Sequence, residues 1–256
     1  MPGGWRGGRT FQICDKVPES ELIKSFYLRP KDGKAIMKFQ PGQYVGVRVN
    51  VDGEEMQRPY SISSPPDDNS YRISIRKEET GTVSKWFHEK VTGGTEIIVF
   101  PPAGDFVLQD GDFPLLFCTA GVGQTPNISM VEHIVRHSAG RSVTWVHCTK
   151  KRKFHAFRER IEEISQNNPN FDYLFSYTDD ASIPYKAEKE RRGLVTKEVI
   201  ARYIPEDRDI DCYVIGPKGF MRNVLRFLKE LEVPREQWHW EYFGPKDEVD
   251  PDKLEK

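Results

Sequence analysis

The sequence predicts two unlike domains in series: an antiparallel β-barrel followed by a parallel α/β domain, dividing near residue 110. Three observations carry this. Short alternating segments broken by turn clusters fill the first part. Continuous apolar runs alternating with helical stretches fill the second. The polar segment Leu108-Gln109-Asp110-Gly111-Asp112 stands between them.

In the first part, Phe39 to Val51, Tyr71 to Arg76 and Thr95 to Phe100 read as strands. Pro30-Lys31-Asp32-Gly33, Asp52-Gly53, Pro65-Pro66-Asp67-Asp68-Asn69 and Thr92-Gly93-Gly94 read as turns. Such punctuation suits a barrel or a sandwich. Val83, Trp86, Phe87 and Val91 recur at helical spacing, so one helix is expected from Val83 to Lys90.

In the second part, Leu115 to Thr119 is a continuous apolar run, as expected of a strand covered on both faces. A glycine-rich turn follows, then a helix from about Pro126 to His137. Val143 to His147 is the next strand and Phe154 to Gln166 the next helix, with Ile161 and Ile164 facing inward. Strands Phe171 to Phe175, Cys212 to Ile215 and Trp238 to Glu241 complete the pattern, with helices at Lys197 to Tyr203 and Gly219 to Leu231. This alternation is the mark of a parallel sheet with crossover helices. The tail after Pro245 is charged and expected to be loose.

Composition excludes several classes. The 256 residues include 38 basic and 39 acidic ones, a formal charge of −1 that gives no general attraction to nucleic acid or an anionic membrane. The longest nearly apolar stretch, Pro114 to Gly123, is far short of the ~18–20 residues of a membrane span. The opening Met1-Pro2-Gly3-Gly4-Trp5-Arg6 has no apolar signal region. Cys14, Cys118, Cys148 and Cys212 are too scattered for a disulfide framework or a metal clip. A cytoplasmic protein is expected.

Several segments carry candidate chemistry. Arg58-Pro59-Tyr60-Ser61-Ile62-Ser63 follows Gln43-Tyr44 and offers a phosphate clamp, an aromatic face and a hydroxyl. Alone, it also suits an ordinary strand with a core tyrosine and an exposed arginine. Thr80-Gly81-Thr82-Val83-Ser84 opens the expected helix, where backbone N–H groups bind anions or are simply capped. Ala120-Gly121-Val122-Gly123-Gln124-Thr125-Pro126 lies between a buried strand and a helix, the setting a nucleotide-binding turn requires. Pro126 replaces the usual third glycine and is well placed in a first helical turn. Ile215-Gly216-Pro217-Lys218-Gly219-Phe220-Met221 and Glu241-Tyr242-Phe243-Gly244-Pro245 follow later strands and are expected at the same carboxyl edge.

Together with Pro102-Ala103-Gly104-Asp105-Phe106, these motifs resemble the ferredoxin–NADP⁺ reductase superfamily, and most closely the reductase half of flavohaemoglobins. The likeness runs from about Trp5 to Pro245, with seven motifs in order. It implies an FAD-binding barrel at 1–110 and a Rossmann-like NAD(P)-binding domain at 111–256. By position, Arg58 matches the residue that meets the FAD pyrophosphate, Tyr60 the one packed along the flavin, and Ser61 the one near its N5 edge. Gln43 and Tyr44 match positions beside the flavin, and Gly81, Val83 and Ser84 the second phosphate-contacting turn. Gly121, Gly123, Gln124, Thr125 and Pro126 match the dinucleotide loop, with Gly216 and Pro217 across from it. Glu241 and Phe243 match the segment that closes over the isoalloxazine; with Tyr60 and Ser61 they form the expected catalytic group.

The implied activity is hydride transfer from NAD(P)H, with NADH favoured, to FAD. Single electrons then pass to a globin, another haem protein or a small oxidant. The step needs positioning rather than an acid–base pair: donor carbon and acceptor nitrogen ~3–3.5 Å apart. Two departures stand out. No globin is expected before the reductase region, and Ile215 stands where many relatives have cysteine before the Gly-Pro pair. No metal is expected: His133 and His137 have i, i+4 spacing, but the sequence offers no evident third ligand. Lys150-Lys151-Arg152-Lys153 suits either a 2′-phosphate or a solvated surface. The competing reading is a non-catalytic binding or regulatory module on a reductase fold.

Overall fold

In the first sheet, alternating side chains fill a barrel core. The computed structural model describes residues 4–138, 140–185, 188–244 and 249. Strands β1 (Arg9–Pro18), β2 (Ile23–Pro30), β3 (Tyr44–Val51), β4 (Glu54–Ser61), β5 (Tyr71–Arg76) and β6 (Glu96–Val99) pair antiparallel in the order β4-β3-β6-β1-β2-β5. A bridge from Ile62 to Ile73 carries the chain beyond β4 onto β5, joining the two ends of the sheet. Phe11, Ile13, Phe26, Leu28, Val45, Val47, Ile73, Ile75 and Val99 form the core, closed by Val83 and Phe87 of helix α1 (Thr82–Glu89).

The expected barrel and its single helix are both present. Strands β1, β2 and β4 go beyond the three expected. A bulge between Ile13 and Asp15 interrupts the alternation of β1, and β2 buries Ser25 among its apolar residues. Strand β3 starts at Tyr44 rather than Phe39. Gly42, at φ +106°, turns the chain first, and Gln43 N–H donates to Gln40 O at 3.1 Å.

The second sheet is parallel. Strands β7 (Leu115–Ala120), β8 (Val143–Thr149), β9 (Phe171–Tyr177), β10 (Glu190–Arg192), β11 (Asp211–Ile215) and β12 (Trp238–Glu241) lie in the order β10-β9-β8-β7-β11-β12. From β7 the chain steps outward to β10, then returns to place β11 on the other side of β7. The order therefore reverses between β7 and β11, where open α/β sheets bind ligands. Helices α2 (Gln124–His137), α3 (Arg158–Asn167), α4 (Lys197–Ala201) and α5 (Lys218–Glu230) supply the crossovers. Val199 and Ile200 of α4 and Met221, Val224, Leu225 and Leu228 of α5 cover one face of the sheet. Helix α3 packs against β9. It begins at Arg158 rather than Phe154, because left-handed Phe157 (φ +59°) turns the chain after His155, Ala156 and Phe157 enter the core.

The described residues fall into two compact units, Met1–Gln109 with Thr125–His133, and Asp110–Gln124 with Ile134–Lys256. The first half of α2 thus packs with the barrel.

The second unit buries two stacked imidazoles, His147 and His155, with ring centres 4.3 Å apart. His147 Nδ1 pairs with Thr119 Oγ1 at 2.7 Å and His155 Nδ1 with the Tyr177 hydroxyl at 2.9 Å. Burial pushes His147 down to about 3 and His155 well below the ordinary range. Both rings gain a proton on unfolding, so stability is complete above about pH 6.5 and falls as pH drops toward 3. Each contributes a slope of up to about 1.4 kcal/mol per pH unit in that window. Urea midpoints at pH 7 and pH 5 should differ accordingly, and the His147→Gln variant should show a smaller difference. An equal pH dependence in variant and parent rejects the assignment.

Candidate functional site

The flavin-motif residues occupy adjacent positions on the β3–β4 ladder. Val47 lies opposite Arg58, Val45 opposite Tyr60 and Tyr44 opposite Ser61. Tyr60 packs on the barrel core and meets Phe87 of α1 edge-on at 5.7 Å. Burial pushes its phenol above the ordinary range, opposed by the charge of Arg58. Arg58 is exposed, donates to Gln57 O at 2.8 Å, and makes no ion pair among the described residues. Its charge is open to an anion. Ser61 Oγ is buried without a hydrogen-bond partner. An orphaned hydroxyl is costly and fits a bound group that supplies its partner.

Gln43 is committed to the protein: its Nε2 donates to Gly104 O at 3.2 Å and its Oε1 accepts from Gln40 N–H at 3.0 Å. Gly104 lets the Tyr44 ring approach, since a Cβ there would sit 2.9 Å from that ring. At the start of α1, Gly81 is the N-cap; the cap makes no side-chain bond and the first turn holds no acid. Val83 is core, and Ser84 Oγ spans Glu78 N–H and Gly81 O, both at 3.1 Å. The side chains of Val83 and Ser84 shape the turn, and the backbone N–H groups are the part suited to an anion.

In the second unit, the ends of β7, β11 and β12 share one edge: Thr119 lies opposite Ile215, and Ile215 opposite Glu241. After β7, Gly121 adopts φ +58° and opens a 3-10 turn, Gly121–Gly123. A Cβ on Gly123 would stand 2.9 Å from Ile215 O, and one on Gly216 would stand 2.9 Å from the Ala120 Cβ. The two glycine turns therefore meet backbone to backbone. Pro217 caps α5. Gln124 Nε2 holds Gly121 O at 3.2 Å, while its buried Oε1 has no partner. Phe243 is 53% exposed, an uncovered aromatic just past β12. Pro245 and the charged tail, apart from Val249, lie outside the described residues.

Thr125 and Pro126, both buried, belong with the first unit; Gly121, Gly123, Gln124, Gly216, Pro217, Glu241 and Phe243 belong with the second. One residue escaped the sequence reading. Asn127 is fully buried, and both ends of its amide lack partners. Polar Gln124, Thr125 and Ser129 stand around it, so nothing in the sequence set it apart from its neighbours.

Known proteins match this arrangement. The Oxidoreductase FAD-binding domain family matches residues 10–108 and the Oxidoreductase NAD-binding domain family residues 117–226. A flavohemoprotein of Pseudomonas aeruginosa is 43% identical over 243 residues, covering 95% of this chain and 61% of that protein. One from a Burkholderia species is 39% identical, covering 97% of this chain and 62% of its own length. The chain therefore spans about three fifths of these relatives. The solved flavohem-like FAD/NAD-binding domain of nitric oxide dioxygenase from Vibrio cholerae is 32% identical with a TM-score of 0.85, covering 94% of this chain and all of that one. No described helix is long and apolar enough to cross a membrane. With both cofactor-domain families matched in order and a like domain matched end to end, the chain belongs to the flavohaemoprotein-type family of FAD- and NAD-binding oxidoreductase domains.

Proposed function

We propose that this chain takes a hydride from NADH onto bound FAD and delivers single electrons to a haem protein, a globin being the best fit. The observation that carries the reading is the buried Ser61 hydroxyl, unpartnered among the described residues, beside exposed Arg58 and half-buried Tyr60. When bound, FAD supplies two-electron acceptance from a dihydronicotinamide and one-electron release to an acceptor. Arg58 and the first turn of α1 hold its phosphates, Tyr60 packs along it, and Ser61 completes its hydrogen bonding at the ring. Gly121 leaves backbone open for the dinucleotide, and Gly123 and Gly216 let the two turns that would hold it approach each other. A haem acceptor is supported by the flavohemoproteins, of which this chain spans about three fifths.

The cations after β8 support NADH over NADPH. Arg152 pairs with Glu190, its N–H donates to Asp180 Oδ2 at 2.9 Å, and Lys151 lies 3.8 Å from Asp179. Acids at the end of β9 and on β10 thus occupy the charges that a 2′-phosphate would need. Glu190→Gln should lower the KM for NADPH by about three- to tenfold, the scale of one released charged contact. Steady-state assays with each dinucleotide check this, and an unchanged NADPH to NADH ratio counts against it.

The whole reading is tested by purifying the protein with FAD and adding NADH without oxygen. Bleaching at 450 nm (about the flavin maximum), followed by reoxidation on adding a ferric globin, is the expected result. A protein that refuses FAD leaves the non-catalytic binding module in place.

A further inference from the structure

Strand β5 buries a polar face. Tyr71, Ile73 and Ile75 enter the barrel core, while Arg72 and Ser74 alternate to the other side and are also buried. There a continuous polar chain runs through the first unit. Ser25 Oγ and Ser74 Oγ lie 2.8 Å apart, as do Ser74 Oγ and Ser63 Oγ. Arg72 Nε donates to Ser63 Oγ at 3.2 Å, and Arg72 Nη2 reaches Glu132 Oε2 at 3.2 Å. Beside it, Ser129 Oγ donates to Ser64 O at 2.6 Å, and Ser64 Oγ accepts from Arg72 N–H at 3.1 Å. Ser129 and Glu132 stand three residues apart on one face of α2, in the half that belongs with the barrel. On the same helix, Met130 closes on Gly42, where a Cβ would lie 2.4 Å from the Met130 Cε.

A buried ion pair is a poor source of net stability, because desolvation offsets the attraction. What it supplies is register. Ser63 holds the guanidinium, and this seat of the helix brings Glu132 to it. A slip of one residue, about 1.5 Å along the helix axis and 100° around it, parts the two. The segment that receives the helix, Ser63-Ser64, lies just past the end of β4, separated by one residue from Ser61 of the flavin motif, and the helix begins directly after the Gly121–Gly123 turn.

We propose that Arg72 and Glu132, with Ser129 and Ser64, form a positioning clasp. It seats the first half of α2 and with it Thr125 and Pro126, the dinucleotide-loop residues of the same unit, for hydride transfer. This rests on the reading that NADH reduces FAD in this chain. Displacements of about 1 Å cost on the order of 100-fold in such steps, so a loosened seat should act on rate more than on binding.

The test uses FAD-loaded protein and rapid-mixing reduction by NADH. Glu132→Ala should lower the limiting reduction rate by about 10- to 100-fold, with NADH affinity changed less than about threefold. Its FAD content and its reduction by dithionite should match the parent, and amide exchange across residues 125–133 should accelerate. Glu132→Gln, which keeps the shape and one hydrogen bond, should recover part of the rate. Ser129→Ala is the milder second variant, expected to lose about three- to tenfold by the same readouts. Limiting rates within about twofold of the parent in folded variants overturn the proposal, even where melting temperatures fall. If the parent is not reduced by NADH or NADPH, the functional reading fails instead. Exchange across α2 then still decides whether Glu132 seats the helix.

Discussion

Arg58→Ala should release FAD: the dissociation constant is expected to rise about 10- to 100-fold, the range for losing a charge-assisted contact to phosphate. The arginine stands exposed on β4 with its guanidinium engaged, among the described residues, only by the Gln57 carbonyl, so it is not a keystone of the barrel. Melting of the flavin-free variant should therefore stay within about 0.5 kcal/mol of the parent, as for an ordinary surface substitution. Arg58→Lys should recover part of the affinity, because a point charge replaces a fork without its bidentate geometry. Flavin content after gel filtration and fluorescence titration of FAD measure both. Unchanged retention in Arg58→Ala removes the residue from the flavin site.

Gly123→Ala should weaken dinucleotide use while leaving FAD in place. The added methyl would stand 2.9 Å from Ile215 O and 3.0 Å from Gly216 N, backbone atoms that no rotamer change can move aside. One of the two turns must shift, at a cost of about 1–3 kcal/mol. The KM for NADH is expected to rise about two- to tenfold if half of that cost falls on the bound state. Gly121→Ala is the informative contrast. It meets no atom within 4 Å, and its φ of +58° costs a non-glycine residue about 1–2 kcal/mol of backbone strain alone. The two variants should thus lose similar stability but differ in NADH use. Equal KM values for both would mean that the approach of the two turns does not matter to binding.

The strands and helices were legible wherever periodicity was clean. Leu115 to Ala120 and Cys212 to Ile215 are apolar throughout because both faces of the sheet are covered, and α1 shows its helical spacing in Val83, Trp86 and Phe87. Legibility failed where backbone geometry intervened. The bulge in β1 hides its alternation, the Gly42 turn delays β3, and left-handed Phe157 delays α3. None of these has a one-residue signature, since each depends on what the neighbouring strand or core accepts.

The proposed site residues lie in short motifs whose likeness to the reductase family names them, so Arg58, Tyr60, Ser61 and the glycine turns could be nominated without coordinates. Those motifs say what each group can bind. Tertiary structure alone decided which groups remain available to bind it: Gln43 and Ser84 spend their side chains on the protein, while Ser61 keeps an unmet hydrogen bond. It alone also revealed that Arg72, which alternation would place on a solvated face, meets Glu132 from 60 residues away. The physical reason is that propensity and pattern act between near neighbours along the chain. The partner of a buried polar atom is chosen by packing between segments far apart in sequence.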